Sequence, residues 1–231
     1  SSLLCAQLGY SYGERVGRVA ARQLETLAFT TNWGVASPPA LELAERLYAA
    51  APTKLRQRES ITEAHYNLGE AYAEIGEYDR SIVHLRQSVK YARDLSDQDK
   101  TDALHLRSLT SAYNRLGKVL ARAGDLTGAM ENFNKSLIIR ERLANQSPTN
   151  QSAQRDLMVV YIFMGRAWID GKYFDQALRS YGRALEIYEK LDARSSNSRN
   201  AKDLSAIYAG TGEAQLKTNE VKKAVENLEK A

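Results

Sequence analysis

TSAYNRLGKVLARAGDLTGAMENFNKS, residues Thr110–Ser136, is the stretch that decides the fold. Tyr113, Leu116 and Leu120 fall three and four residues apart, so they share one face of a helix. Gly117 lies beside Leu116 on that packed side. A glycine in mid-helix costs ~1 kcal/mol against alanine. It is tolerated where a second helix comes too close for a side chain. Gly124 ends the first helix, because glycine takes the left-handed conformation at little cost. Ala129, Phe133 and Ser136 repeat the spacing on a second helix, and Phe133 can fill the space beside Gly117.

The same outline recurs before and after this stretch. Leu68-Gly69, Leu116-Gly117, Met164-Gly165 and Thr211-Gly212 share one register, with glycines 48, 48 and 47 residues apart. Twelve residues after each glycine stands Ser81, Ala129, Ala177 or Ala224. Four further on stands Leu85, Phe133, Tyr181 or Leu228, and three beyond that Ser88, Ser136, Ala184 or Ala231. Gly76, Gly124 and Asn219 hold the turn, while the unit around Gly165 shifts its turn glycine to Gly171. A helical hairpin written at a fixed interval is the mark of a solenoid.

These residues resemble the tetratricopeptide repeat. In that pattern a large residue (here His65, Tyr113, Tyr161 and Tyr208) precedes leucine-glycine, then an aromatic (Tyr72, Trp168), and then alanine, aromatic and alanine. The usual period is ~34 residues. The 48-residue period here lengthens each helix of the pair by roughly two turns at ~1.5 Å per residue. LIIRERLA at 137–144, PTN at 148–150 and QRDL at 154–157 resemble the longer-helix arrays of bacterial signalling proteins, including those that follow serine/threonine kinase domains. The resemblance covers residues 54–231 well and 1–52 loosely. It implies an all-α, right-handed superhelix of antiparallel helix hairpins forming one domain over residues 1–231. Five repeats are expected, at 1–52 with an insertion at 16–36, at 54–96, 100–146 and 151–192, and a truncated one at 199–231. The insertion includes Trp33 and Gly34, and Ser96–Lys100 and Asp192–Arg199 read as polar loops.

Bulk properties narrow the function. Lys and Arg number 32 against 28 Asp and Glu, a mild basic excess without the dense patch of a nucleic-acid binder. Cys5 is the single cysteine, so no internal disulfide forms, which fits a reducing, cytoplasmic setting. No apolar run approaches the ~18 residues that span a bilayer, and LMVVYIFM at 157–164 reads as a buried helix. The missing initiator Met and the final residue inside a helix suggest a fragment. His65, His84 and His105 are scattered, and the chain has no GxxxxGK[ST], HExxH or CxxC. The expectation is therefore no catalytic residue, no metal and no cofactor. Tyr113, Phe133, Tyr161, Trp168 and Tyr181 read as packing.

A superhelix of this family presents the first helix of each repeat to a groove. The resemblance places the groove three residues before each repeat glycine, one after it and four to five after it. These are Tyr66 and Glu70 with Ala73 and Glu74, then Asn114, Lys118 and Ala121 with Arg122. Ile162, Arg166 and Ile169 follow with Asp170, and then Ala209, Glu213 and Leu216. The middle of such a groove is basic, with an apolar stripe. Arg107, Arg155 and Lys202 recur at the repeat interval as a second basic row, either paired locally with Asp156 and Asp203 or open to an acidic ligand. The carboxylate clamp known from chaperone-tail binding needs lysine and asparagine at places held here by Tyr66 and Glu70, or by Asn114 and Lys118, so it does not match.

The expected function is a non-catalytic interaction scaffold that holds a peptide or partner helix, acidic or amphipathic, through Tyr66, Glu70, Asn114, Lys118, Arg122, Ile162, Arg166 and Ile169. Two rivals are the sensory or docking region of a larger signalling enzyme such as a kinase, and a sensor of signalling peptides. RNA binding needs a continuous basic track, which Glu63, Glu70 and Glu74 interrupt.

Overall fold

The computed structural model describes Arg46, residues 55–191 and residues 198–231. The first expected repeat with its insertion, Cys5 and the linker at 192–197 lie outside the described residues. From Leu55 to Lys230 the chain forms α1 (Leu55–Glu74), α2 (Tyr78–Gln98), α3 (Ala103–Arg122), α4 (Leu126–Gln146), α5 (Gln151–Asp170), α6 (Phe174–Lys190), α7 (Ser198–Lys217) and α8 (Val221–Lys230). No strand occurs among the described residues. The odd helices begin at intervals of 48, 48 and 47 residues, matching the glycines. Each odd helix packs on the even helix after it, and each even helix on the next odd one. Odd helices also touch across repeats, α1 on α3, α3 on α5 and α5 on α7. The result is an all-α superhelix of antiparallel hairpins.

The starts of the middle helices are written locally. Asp102 accepts the backbone N–H of Leu104 at 2.8 Å, Asp125 that of Gly128 at 2.8 Å, and Asn150 that of Ala153 at 3.1 Å. Each such cap stabilises its helix by ~1 kcal/mol. The ends share one motif. The N–H of Glu77, Asp125, Tyr173 and Glu220 reaches back to the carbonyl of Tyr72, Leu120, Trp168 and Gln215, at 2.8–2.9 Å. This wrap requires a left-handed residue before the donor. Gly76 (φ +83°) and Gly124 (φ +90°) supply it in the first two hairpins, and Asn219 (φ 64°) in the last.

The third hairpin departs from expectation. Gly171 is right-handed, at φ −81° and ψ −1°, and Lys172 takes the left-handed place at φ 65°. The turn has therefore not shifted register. Gly171 is small for another reason, since a Cβ there would lie 2.5 Å from Leu126 Cδ2. The loop expected at Ser96–Lys100 is likewise shorter. Helix α2 continues to Gln98, with Ser96 buried and its hydroxyl bonded to the Arg93 carbonyl at 3.0 Å.

Hairpins close where the glycines cross. A Cβ on Gly69 would meet Leu85 at 2.5 Å, on Gly117 the Phe133 ring at 2.7 Å, on Gly165 the Tyr181 ring at 2.8 Å, and on Gly212 Leu228 at 2.7 Å. The partner always lies sixteen residues on. Buried hydroxyls stitch the same pairs, Ser88 to the Thr62 carbonyl at 3.1 Å and Ser136 to that of Thr110 at 3.3 Å. The core runs through these crossings. Leu85, Tyr113, Leu116 and Phe133 belong to one cluster, and Met158, Tyr181, Ile207 and Ala214 to the next.

Candidate binding groove

The odd helices line one side, and two hollows open along them. The first, about 400 Å³, is bounded by Tyr66, Asn114, Arg115, Lys118, Ile162 and Phe163 among others. The second, about 570 Å³, is bounded by Tyr78, Lys118, Arg122, Phe163, Arg166 and Asp170 among others. Lys118 and Phe163 border both, so the hollows adjoin. Six of the eight expected groove residues stand on these walls. Glu70 reaches the first wall through its ion pair with Arg115. Ile169 lies in the core, 6% exposed, away from both hollows. Its place on α5 faces the crossing rather than the opening.

The charges of the groove divide into engaged and unengaged. Arg115 pairs with Glu70 and lies over the Tyr66 ring, 5.6 Å from its centre. Arg166 pairs with Glu213 at 2.7 Å and with Asp170 at 3.2 Å. Lys118 and Arg122 form no ion pair among the described residues. Lys118 Nζ rests 4.9 Å from the centre of the Phe163 ring, and the Arg122 guanidinium 5.3 Å from that of Tyr78. Burial pulls the Lys118 ammonium below its ordinary pKa. Arg115 and Arg122 push the same way, and Glu70 opposes them. A half-dehydrated cation among like charges gains from an added anion.

One neutral group adds to this. The carboxamide oxygen of Asn114 is buried, makes no hydrogen bond, and belongs to a side chain on the wall of the first hollow. A buried acceptor left without a donor costs ~1–3 kcal/mol. A ligand amide N–H would satisfy it.

The second basic row is spent along the stack. Arg107 meets Asp156 at 3.0 Å, and Arg155 meets Asp203 at 2.7 Å. Each arginine reaches a carboxylate of the following repeat rather than its own neighbour in sequence. Lys202 is exposed. Asp156 also receives Arg140, which comes from α4 and is 5% exposed. Burial pulls Arg140 below its ordinary value, and Asp156 holds it up.

Three contributors escaped the sequence reading. Arg115 and Phe163 both stand two residues before their repeat glycine. That place shares a face with the residues one and five after the glycine, a spacing of three and four that could have flagged Arg115 beside Lys118 and Arg122. Arg140 carries no such signal, because it enters from the second helix of its hairpin. No group of three or more His, Cys, Asp or Glu capable of holding a metal occurs among the described residues. No helix among them is long and apolar enough to cross a membrane.

Two tetratricopeptide-repeat family models match, one at residues 62–95 and the other at residues 109–149, on the hairpins α1–α2 and α3–α4. These two matches support assigning the chain to the tetratricopeptide-repeat superfamily. Among solved structures, BtubC (BKLC) from P. vanneervenii superposes with a TM-score of 0.60 at 18% identity, covering 82% of this chain and 70% of that one. A putative kinesin light chain of Podosopora anserina with nearly identical TPR-like repeats gives 0.52 at 20% identity, covering 82% of each chain. At these identities the likeness is one of fold. A 57-residue stretch, 25% of the chain, is 47% identical to the "Probable aminotransferase Rv3329" of Mycobacterium tuberculosis. The chain spans 12% of that relative. The tetratricopeptide repeats support, in general terms, a protein-interaction scaffold.

Proposed function

We propose that the protein is a non-catalytic scaffold that binds a peptide segment along the two hollows of its odd-helix face, with an acidic residue and an apolar residue as anchors. The observation that carries this reading is the junction of the hollows. There Lys118 stands without a carboxylate partner beside the Phe163 ring, and Arg122, likewise without one, lines the second hollow over the Tyr78 ring. The acidic anchor would pair with Lys118 and Arg122, and the apolar one would lie on Phe163 and Ile162. The Asn114 carboxamide would take a backbone N–H. Arg107, Arg155 and Arg166 are excluded as anchors because each already faces a carboxylate.

A random-peptide display selection on the whole chain tests this. The selected peptides should pair acidic with apolar residues, and their affinity should fall with added salt. The double change Lys118→Glu with Arg122→Glu should weaken them about tenfold or more, one such step being ~1.4 kcal/mol. Lys190→Glu, on α6, should leave them unchanged. Selected peptides that bind the double variant as tightly as the parent would overturn the assignment.

A further inference from the structure

A second cleft lies between α2 and α4, floored by Tyr113, Leu116 and Leu120 of α3, and encloses about 500 Å³. Arg86, Lys90 and Arg93 line it from α2, at spacings of four and three that put them on one helix face across ~10 Å. Lys135 lines it from α4. Arg93 is held in place, with Nη2 donating to the Tyr113 hydroxyl at 2.9 Å. Arg86, Lys90 and Lys135 form no ion pair among the described residues. Two carboxylates share the wall, Glu131 and Asp125, the latter accepting the Gly128 N–H at 2.8 Å.

The repeat supplies its own control. One period later the places of Arg86, Lys90 and Arg93 are held by Asn134, Ile138 and Glu141. Glu141 accepts from the Tyr161 hydroxyl at 3.2 Å, where Arg93 donates to that of Tyr113. Lys135 becomes Arg183, which is paired with Glu186 at 3.0 Å. The cationic lining is therefore no requirement of the hairpin stack. It belongs to this cleft alone of the two.

We propose that the α2–α4 cleft binds a compact oligophosphate anion. Four cations against two carboxylates, Asp125 and Glu131, leave the lining net positive and suit a ligand with more than one negative charge. The guanidinium fork of Arg86 suits phosphate oxygens in pairs, while Arg93, its Nε and Nη2 engaged with the Tyr113 hydroxyl, adds its charge. Thr127 and Asn132 add neutral donors on the wall, and the volume lies in the range of small-ligand sites. This site is independent of the peptide groove on the odd helices.

Calorimetric titration of the whole chain with inorganic tripolyphosphate tests the assignment, with sulfate and citrate alongside. Tripolyphosphate should bind, with sulfate and citrate at least about tenfold weaker. Arg86→Gln with Lys90→Gln should weaken it about tenfold or more, both side chains being exposed, with Lys90 Nζ 5.6 Å from the centre of the Tyr91 ring. Lys118→Glu should leave the affinity unchanged. Amide resonances of residues 86–93 and 135 should move on titration. No binding at millimolar tripolyphosphate by a folded chain, equal binding by the double variant, or equally tight citrate would each overturn the proposal.

Discussion

At Gly117 the fold turns on one carbon atom. A methyl group there would stand 2.7 Å from the Phe133 ring, and the ring is fully buried. Gly117→Ala should therefore destabilise the chain by about 1–3 kcal/mol through overpacking, despite the helical gain from alanine. Gly182 is the matched control. It lies within α6 and a Cβ there meets nothing within 4 Å, so Gly182→Ala should stabilise by up to ~1 kcal/mol. Denaturation midpoints of the two variants should move in opposite directions, and a shift of the same sign would refute the close-contact account. Gly117 was legible in the sequence because a mid-helix glycine is costly and needs a reason. Lys172 was not, since lysine carries no mark of a left-handed backbone and only the helix wrap around it forces φ 65°.

Between elements, buried charge and buried histidine decide the seams. Asp156 is shared by Arg107 of α3 and Arg140 of α4. Asp156→Ala would leave the Arg140 guanidinium buried without a carboxylate, and should cost ~3 kcal/mol or more. Replacing both members, Arg140→Met with Asp156→Leu, should cost less than Asp156→Ala alone. Equal or greater loss in the double variant would show that the pair does not act as a unit. His65 joins α1 to α2 through Nδ1, 3.2 Å from His84 Nδ1. Burial, with His84 adding to it, lowers the His65 pKa from 6.5 to about 4. Between those values the unfolded chain binds the proton and the folded chain does not, so stability is full above about pH 6.5 and falls as pH drops toward 4. The slope reaches at most ~1.4 kcal/mol per pH unit. Urea midpoints taken across this window should decline with acidity. His65→Tyr, which places here the residue held by Tyr113, Tyr161 and Tyr208 in the other repeats, should flatten the decline. The groove was read from first helices alone, which found Lys118 and Arg122. It overlooked Arg140, whose role depends on an approach between α4 and α5 that no local spacing encodes.

Across the whole molecule, stability should be graded along the stack, because each repeat is supported only by its neighbours. The α3–α5 region lies within a continuous core with Leu116, Phe133 and Val160 all nearly or fully buried. Helix α8 buries Ala224, while Val221, Val225 and Leu228 are 42–52% exposed. Amide exchange should therefore be slowest in α3 and α4 and fastest in α8. Uniform protection through the eight described helices would mean that they open as one cooperative block.

The residue after each glycine reaches the next repeat differently at every seam. Glu70 takes Arg115 as an ion pair, Lys118 takes the Phe163 ring, and Arg166 takes Glu213. The steric seats are copies of one another, but these junctions are not. An array with its units shuffled would still find a hollow for every ring, yet would bring lysine against arginine or leave a carboxylate stranded. Shape makes the modules interchangeable, and electrostatics gives them a serial order.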